Sequence, residues 1–251
     1  MERQPATSAS AVGAANFIAP PALPRLEAGD HLDQPTFHAR YEAMPSSFRA
    51  ELVEGVVIVP SPLLTNHGRI HALIMCWLVV YQSRTPGAVA LDNATTILSD
   101  ENEPQPDGAL ILSPACSGQT HDHEGYTAGP PELIVEVAST SASYDLHSKF
   151  RVYESSGVKE YVVVVLHEKR VHWFVLDNGK FVEYPADEQN IARSTIFPGL
   201  WLDVPALFAG DAAKLLATLD LGLATPEHAQ QAATWKQLLE RTEPPPSPPS
   251  A

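Results

Sequence analysis

The chain has 251 residues, 44% hydrophobic and 18% charged, enough apolar side chain for one globular domain with a substantial core. Its formal charge of −14 excludes a general polyanion binder, because affinity for phosphate backbones needs clustered Lys and Arg; a local basic groove, or a metal bridging to phosphate, stays open. Cys76 and Cys116 form neither a CxxC pair nor a disulfide framework, which makes a reducing cytoplasm the expected compartment, and no apolar run approaches the roughly 20 residues that span a bilayer.

Residues 1–34 are rich in Ala and Pro and lack the basic-then-apolar pattern of a signal peptide, so a disordered leader is expected there. "TFHARYEAM", 36–44, predicts a short helix stopped by Pro45. "AELVEGVVIVP" predicts two short strands around Glu54-Gly55. Thr65 or Asn66 is placed to cap a helix whose apolar positions are Ile70, Leu73, Ile74, Trp77, Leu78 and Tyr81. Strand-like pieces follow in "AVALDN", "TTILS" and "PDGALIL", then a loop over 113–130.

"ELIVEVA" reads as a buried strand, and "STSASYDLHSKFRVYESSG" as a helix with a face of Leu146, Phe150 and Tyr153 and Gly157 as its stop. "EYVVVVL" predicts a strand buried on both faces. "VHWFVLD", "GKFVEYP" and the stretch near "STIFPGLWLDV" predict further strands, and "PEHAQQAATWKQLLERT" a helix. The organisation expected is a leader over 1–34, a domain over 35–210, a helical segment over 211–242 and a Pro-rich tail over 243–251. The fold class is α+β, a central mixed sheet with flanking helices.

One residue does not fit a dry interior. Along the strand, Leu133, Val135 and Val137 share one face, and Glu132, Ile134 and Glu136 the other. A buried Glu136 needs a proton, a cation or a metal. If the "PDGALIL" strand pairs with this one, Asp107 converges on Glu136. Two hard oxygen ligands then suit Mg²⁺ or Mn²⁺, completed by water and phosphate oxygens. Lys149, four residues after Asp145 and bordering Phe150 and Tyr153, is placed to lean toward Glu136. There it would orient an attacking water or stabilise a phosphoryl transition state. Glu51 is a further acid that would complete the cluster.

Each residue also has an ordinary reading. Asp107 after Pro106 is a common turn residue. Glu136 is a strand-end acid, and Asp145 and Lys149 an exposed ion pair of little value. His67 starts a helix. "HDHEGY" offers His121 and His123 as an HxH pair, but without a second pair nearby a solvated loop is expected. Cys76 falls on the helix's packing side, and Trp77, Trp173 and Trp201 are expected in or at the edge of the core. Asn93-Ala94-Thr95 matches a glycosylation sequon, but nothing suggests secretion.

Taken together, "AELVEG", the Pro-rich turn before Asn66-His67, "PDGALIL" and the series from Pro130 to Tyr161 resemble the Uma-two family of restriction-endonuclease-like proteins. That family belongs to the PD-(D/E)XK nuclease superfamily, and the resemblance spans about 35–210. It implies a restriction-endonuclease-like fold and Mg²⁺-dependent hydrolysis of phosphodiester bonds in DNA. It implies Asp107 and Glu136 as metal ligands, Lys149 as the catalytic lysine moved into the following helix, Glu51 as the upstream acid and His67 as a family histidine. A homodimer is the expectation for cutting two strands.

The sequence departs at Ala138, where the superfamily has lysine. It departs again at Thr140 and Ser141, where the family often has proline, and at Val162, where Trp is frequent. The competing expectation is a catalytically inactive nuclease fold used for binding or assembly, which the acidic charge favours slightly.

Overall fold

The computed structural model describes residues 23–62, 64–139 and 142–242. Most of the expected leader, the end of the tail beyond Thr242, and the departures at Thr140 and Ser141 lie outside the described residues. The described part of the leader is packed. Leu26 is buried with Phe37, Ala50, Leu52 and Val57 in a small N-terminal cluster.

The N-terminal elements are helix α1 (Gln34–Glu42), strands β1 (Glu51–Val53) and β2 (Val56–Ile58), and helix α2 (Thr65–Arg84). Asp33 caps α1, its carboxylate accepting from the Thr36 amide at 2.9 Å. β1 and β2 form the expected hairpin, with Glu54 and Gly55 both at positive φ in the turn. α2 begins at Thr65 with Leu64 as its cap position and no side-chain cap, so neither Thr65 nor Asn66 plays the capping role expected of them.

The middle of the chain holds β3 (Ala88–Asp92), β4 (Thr96–Ile97), β5 (Gly108–Leu112), β6 (His121–His123), β7 (Tyr126–Ala128) and β8 (Leu133–Ala138). The stretch 113–130, expected as loop, carries a 3-10 turn and the β6–β7 hairpin. Alternation of apolar residues is weak there, because β6 is exposed throughout. Helix α3 (Ala142–Tyr144), a π-helical turn (Asp145–Lys149) and helix α4 (Phe150–Ser156) run on without a break, and Gly157 ends them in the left-handed conformation. Strands β9 (Glu160–Val165), β10 (Arg170–Asp177), β11 (Lys180–Glu183), β12 (Ile191–Arg193) and β13 (Trp201–Asp203) lead to helices α5 (Val204–Ala209), α6 (Ala212–Leu223) and α7 (Pro226–Thr242).

The central sheet is six-stranded in the order β11-β10-β9-β8-β5-β3. It is mixed: β8 and β9 pair in parallel, and its other pairs are antiparallel. A parallel pair needs a crossover, and the helical run 142–156 supplies it. That run lies on one face of the sheet, against Ile134, Ala138, Tyr161, Val163 and Val165. The other face, with Leu133, Val135, Val137, Val162 and Val164, packs on Ile70, Ile74, Trp77, Leu78 and Tyr81 of α2 and on Leu215, Leu219 and Trp235 of the C-terminal helices. Each such side chain contributes about 1.5–3 kcal/mol on burial. Trp77 and Trp173 are core residues as expected, while Cys76 is exposed, on the solvent side of α2 rather than the packing side.

Both edges of this sheet carry a stopper. The outward amide of Ala90 donates to Gln82 Oε1 at 2.6 Å, and that of Phe181 to Glu154 Oε2 at 2.7 Å. An edge amide already bonded cannot template another strand.

Candidate active site

β8 and β5 bring the two acids together by register. Gly108 pairs with Val135, so one step beyond that pair Asp107 stands opposite Glu136. The Asp107 amide approaches Glu136 Oε2 at 3.4 Å, and Asp107 Oδ2 accepts from the Val137 amide at 2.7 Å. Glu136 is only 4% exposed.

Lys149 closes the group. Its Nζ donates to Glu136 Oε1 at 2.9 Å and to Glu51 Oε1 at 2.8 Å. Glu51 comes from β1, and the same oxygen accepts from the Gln105 amide at 2.7 Å, which ties β1 to the turn that carries Asp107. The structure therefore gathers Glu51, Asp107, Glu136 and Lys149 at one place. Asp145 and Lys149 are both buried, so they are not an exposed surface pair. The π-helical turn explains this. Its wider turn shifts the phase of the helix and directs both residues inward, a distortion common at functional sites.

Three aromatic residues support the cluster. Tyr153 OH donates to Glu136 Oε1 at 2.9 Å, and Tyr161 OH to the Asp145 carbonyl at 3.0 Å. His71 Nε2 donates to the Asp107 carbonyl at 2.8 Å and lies 3.1 Å from Asp92. His67 lies in the first turn of α2, as the helix-start reading expects, and is buried with Nε2 3.4 Å from Asp107 Oδ2. The contacts of Tyr153 with Glu136 and of His71 with Asp107 are not evident from sequence. The available signal was spacing, since each lies four residues after Lys149 and His67 respectively.

The electrostatics follow from burial. Desolvation pushes the Glu136 carboxyl well above its ordinary pKa, and Asp107, Asp145 and Glu51 add to the push while Lys149 opposes it. Burial works against the Lys149 ammonium, but Glu136, Glu51 and Asp145 outweigh it and hold its pKa well above the usual value. Burial also works against Asp107, yet His67 and the Val137 amide outweigh it and lower its pKa. His67 is raised in turn, chiefly by its hydrogen bond with Asp107. Among the described residues, Glu51, Asp107 and Glu136 thus share one ammonium and one imidazole, an excess of acids that a cation would offset.

The donor set fits a hard divalent cation. Asp107 Oδ1 accepts no hydrogen bond among the described residues, and Glu136 Oε2 has only the long contact to the Asp107 amide. Two carboxylates with free oxygens match Mg²⁺, which takes one or two protein carboxylates and completes its shell with water and phosphate. They do not make a complete protein site: among the described residues no group of three or more His, Cys, Asp or Glu is placed to hold a metal ion. His121 and His123 sit on the exposed β6 strand with no third ligand of that kind among the described residues.

Comparison with known proteins agrees with this fold. The sequence model of the Uma2 family, described as "Putative restriction endonuclease", matches residues 35–205. No curated protein matches. The chain is similar in structure to a putative nuclease of DUF820 from Anabaena variabilis ATCC 29413, with a TM-score of 0.54 at 13% identity, covering 68% of this chain and 97% of that one. At that identity the likeness speaks for the fold.

Proposed function

From a chain that belongs to the Uma2 family of restriction-endonuclease-like proteins, we propose an endonuclease that hydrolyses phosphodiester bonds in DNA with Mg²⁺, or Mn²⁺ in its place. The observation that carries the reading is the convergence of Asp107, Glu136 and Lys149 at the end of the β5–β8 pair, with Glu136 and Lys149 buried and Asp107 half-buried beside them.

Asp107 and Glu136 would hold the cation, which when bound supplies Lewis-acid polarisation of the phosphoryl group and offsets the carboxylate charge. Lys149 remains protonated among its acids and presents Nζ–H donors to negative charge developing on phosphoryl oxygens. Glu51 fixes the direction of that ammonium, and its Oε2 is left to orient a water. Tyr153 holds Glu136 Oε1, which turns Oε2 toward Asp107. His67 and the Val137 amide fix Asp107. Two copies are needed to cut both strands of a duplex at once.

The test is nicking of supercoiled plasmid in Mg²⁺ or Mn²⁺ by the wild type and by Asp107→Asn. Cleavage that needs the metal and disappears in the variant supports the proposal. Cleavage that survives the substitution, or persists with the metal chelated, refutes it.

A further inference from the structure

Three tyrosines surround the cluster, and two have satisfied hydroxyls: Tyr153 on Glu136 and Tyr161 on the Asp145 carbonyl. The third does not. Tyr144, the last residue of α3, has its hydroxyl oxygen fully enclosed and without a hydrogen-bond partner among the described residues. Its ring lies beside the site, with Lys149 Nζ 5.8 Å from the ring centre.

An enclosed hydroxyl without a partner is destabilising, and buried polar groups are nearly always paired. Phenylalanine would present the same ring to Lys149 without that cost. The position therefore carries a penalty in the ligand-free protein for a group that packing does not need. Burial, and next the charge of Glu51, push the hydroxyl's pKa up, so it keeps its proton and can serve as a donor. A donor kept free beside a cluster of acids and a lysine is suited to an incoming acceptor oxygen.

We propose that Tyr144 is a further binding residue of this site, its hydroxyl donating to an oxygen of the ligand that enters beside Lys149. The proposal rests on the nuclease reading, which supplies two sources for that oxygen: the phosphoryl group of the substrate, or a water carried by the cation.

The test compares wild type with Tyr144→Phe in two measurements. The first is the melting temperature without ligand, expected to rise by roughly 2–4 °C as the unpaired hydroxyl is removed. The second is calorimetric binding of Mn²⁺ alone, of inorganic phosphate with Mn²⁺ present, and of duplex DNA with Ca²⁺ in place of the reactive metal. Phosphate and DNA affinity falling about five- to tenfold, with Mn²⁺ affinity unchanged, assigns the hydroxyl to the phosphoryl oxygen. A fall of that size already present with Mn²⁺ alone assigns it to the cation's water. Wild-type binding matched by the variant in all three titrations overturns the role of Tyr144 and leaves the nuclease reading standing. A lowered melting temperature also overturns it, by showing that the hydroxyl serves the fold. A wild type that binds none of the three probes overturns both readings.

Discussion

Lys149 follows Glu136 by 13 residues, and the chain between them leaves the sheet and returns to bring Nζ within 2.9 Å of Glu136 Oε1. The parallel β8–β9 pair requires a crossover at this point. The crossover helix carries the lysine, and a π-helical turn within it aims the lysine inward. The lysine two residues after the second acid, usual in the superfamily that the chain resembles, is replaced here by Ala138. Ala138 is fully buried in the apolar layer beneath α4. An ammonium reaching the acids from the helix leaves that layer dry.

Removing the ammonium strands two buried carboxylates. We expect Lys149→Met to lower stability by about 3–5 kcal/mol at neutral pH, the usual consequence of breaking a buried pair from one side. Urea unfolding measures this, and added Mn²⁺ should recover part of the loss. A cost near zero would mean that Glu136 is already neutralised by other means.

Tyr153→Phe deletes only the hydroxyl that bonds Glu136. The hydrogen bond is buried and its acceptor is an acid, so a loss of about 1.5–3 kcal/mol is expected. The same substitution at Tyr144 should act in the opposite direction, because no bond is lost there. Parallel thermal denaturation of the two variants separates the cases, and two losses of equal size would contradict the assignment of their hydroxyls.

Glu160 gives a pH dependence away from the site. Its carboxylate accepts from Ser194 Oγ at 2.6 Å and from the Thr195 amide and hydroxyl at 2.6 and 2.7 Å. Burial nevertheless raises its pKa above the usual 4.5, the hydrogen bonds only partly offsetting it. The native state then binds the proton more tightly than the unfolded chain, so this group's contribution is fully present below the unfolded pKa and declines as pH rises through the folded one. The stability of wild type relative to Glu160→Gln should therefore shrink as the buffer is taken upward from pH 4. A difference that grows with pH in melting curves would show the carboxylate to be stabilised when ionised.

The centre of the sheet was legible because β8 and β9 are β-branched runs buried on both faces. Leu133, Val135 and Val137 do share one face, which packs on α2, and Ile134 lies on the other, against α4. The meeting of Asp107 with Glu136, and the lean of Lys149 toward them, followed from placing the "PDGALIL" strand beside "ELIVEVA". The π-helical turn was not legible, since its residues read as an ordinary helix and the extra residue per turn is set by what the helix packs on. The bond from Tyr153 to Glu136 was hidden for a related reason: Tyr153 was assigned to the apolar face, and its ring does pack there while its hydroxyl reaches the acid. The β6–β7 hairpin left no apolar alternation because its outer strand is exposed on every residue. Neither could sequence show that the N-terminus of α2 goes without a side-chain cap.

The most direct test of the central claim, that Asp107 and Glu136 form a divalent-cation site, is calorimetric Mn²⁺ binding to the wild type, Asp107→Asn and Glu136→Gln, repeated with duplex DNA present. Melting curves of all three confirm that the variants are folded. We expect the wild type to bind Mn²⁺, more tightly with DNA because phosphate completes the cation's shell, and each substitution to weaken binding by at least about tenfold. Folded variants that bind as the wild type does, or a wild type that takes no Mn²⁺ even with DNA, would contradict the account and leave Glu136 as the structural partner of Lys149.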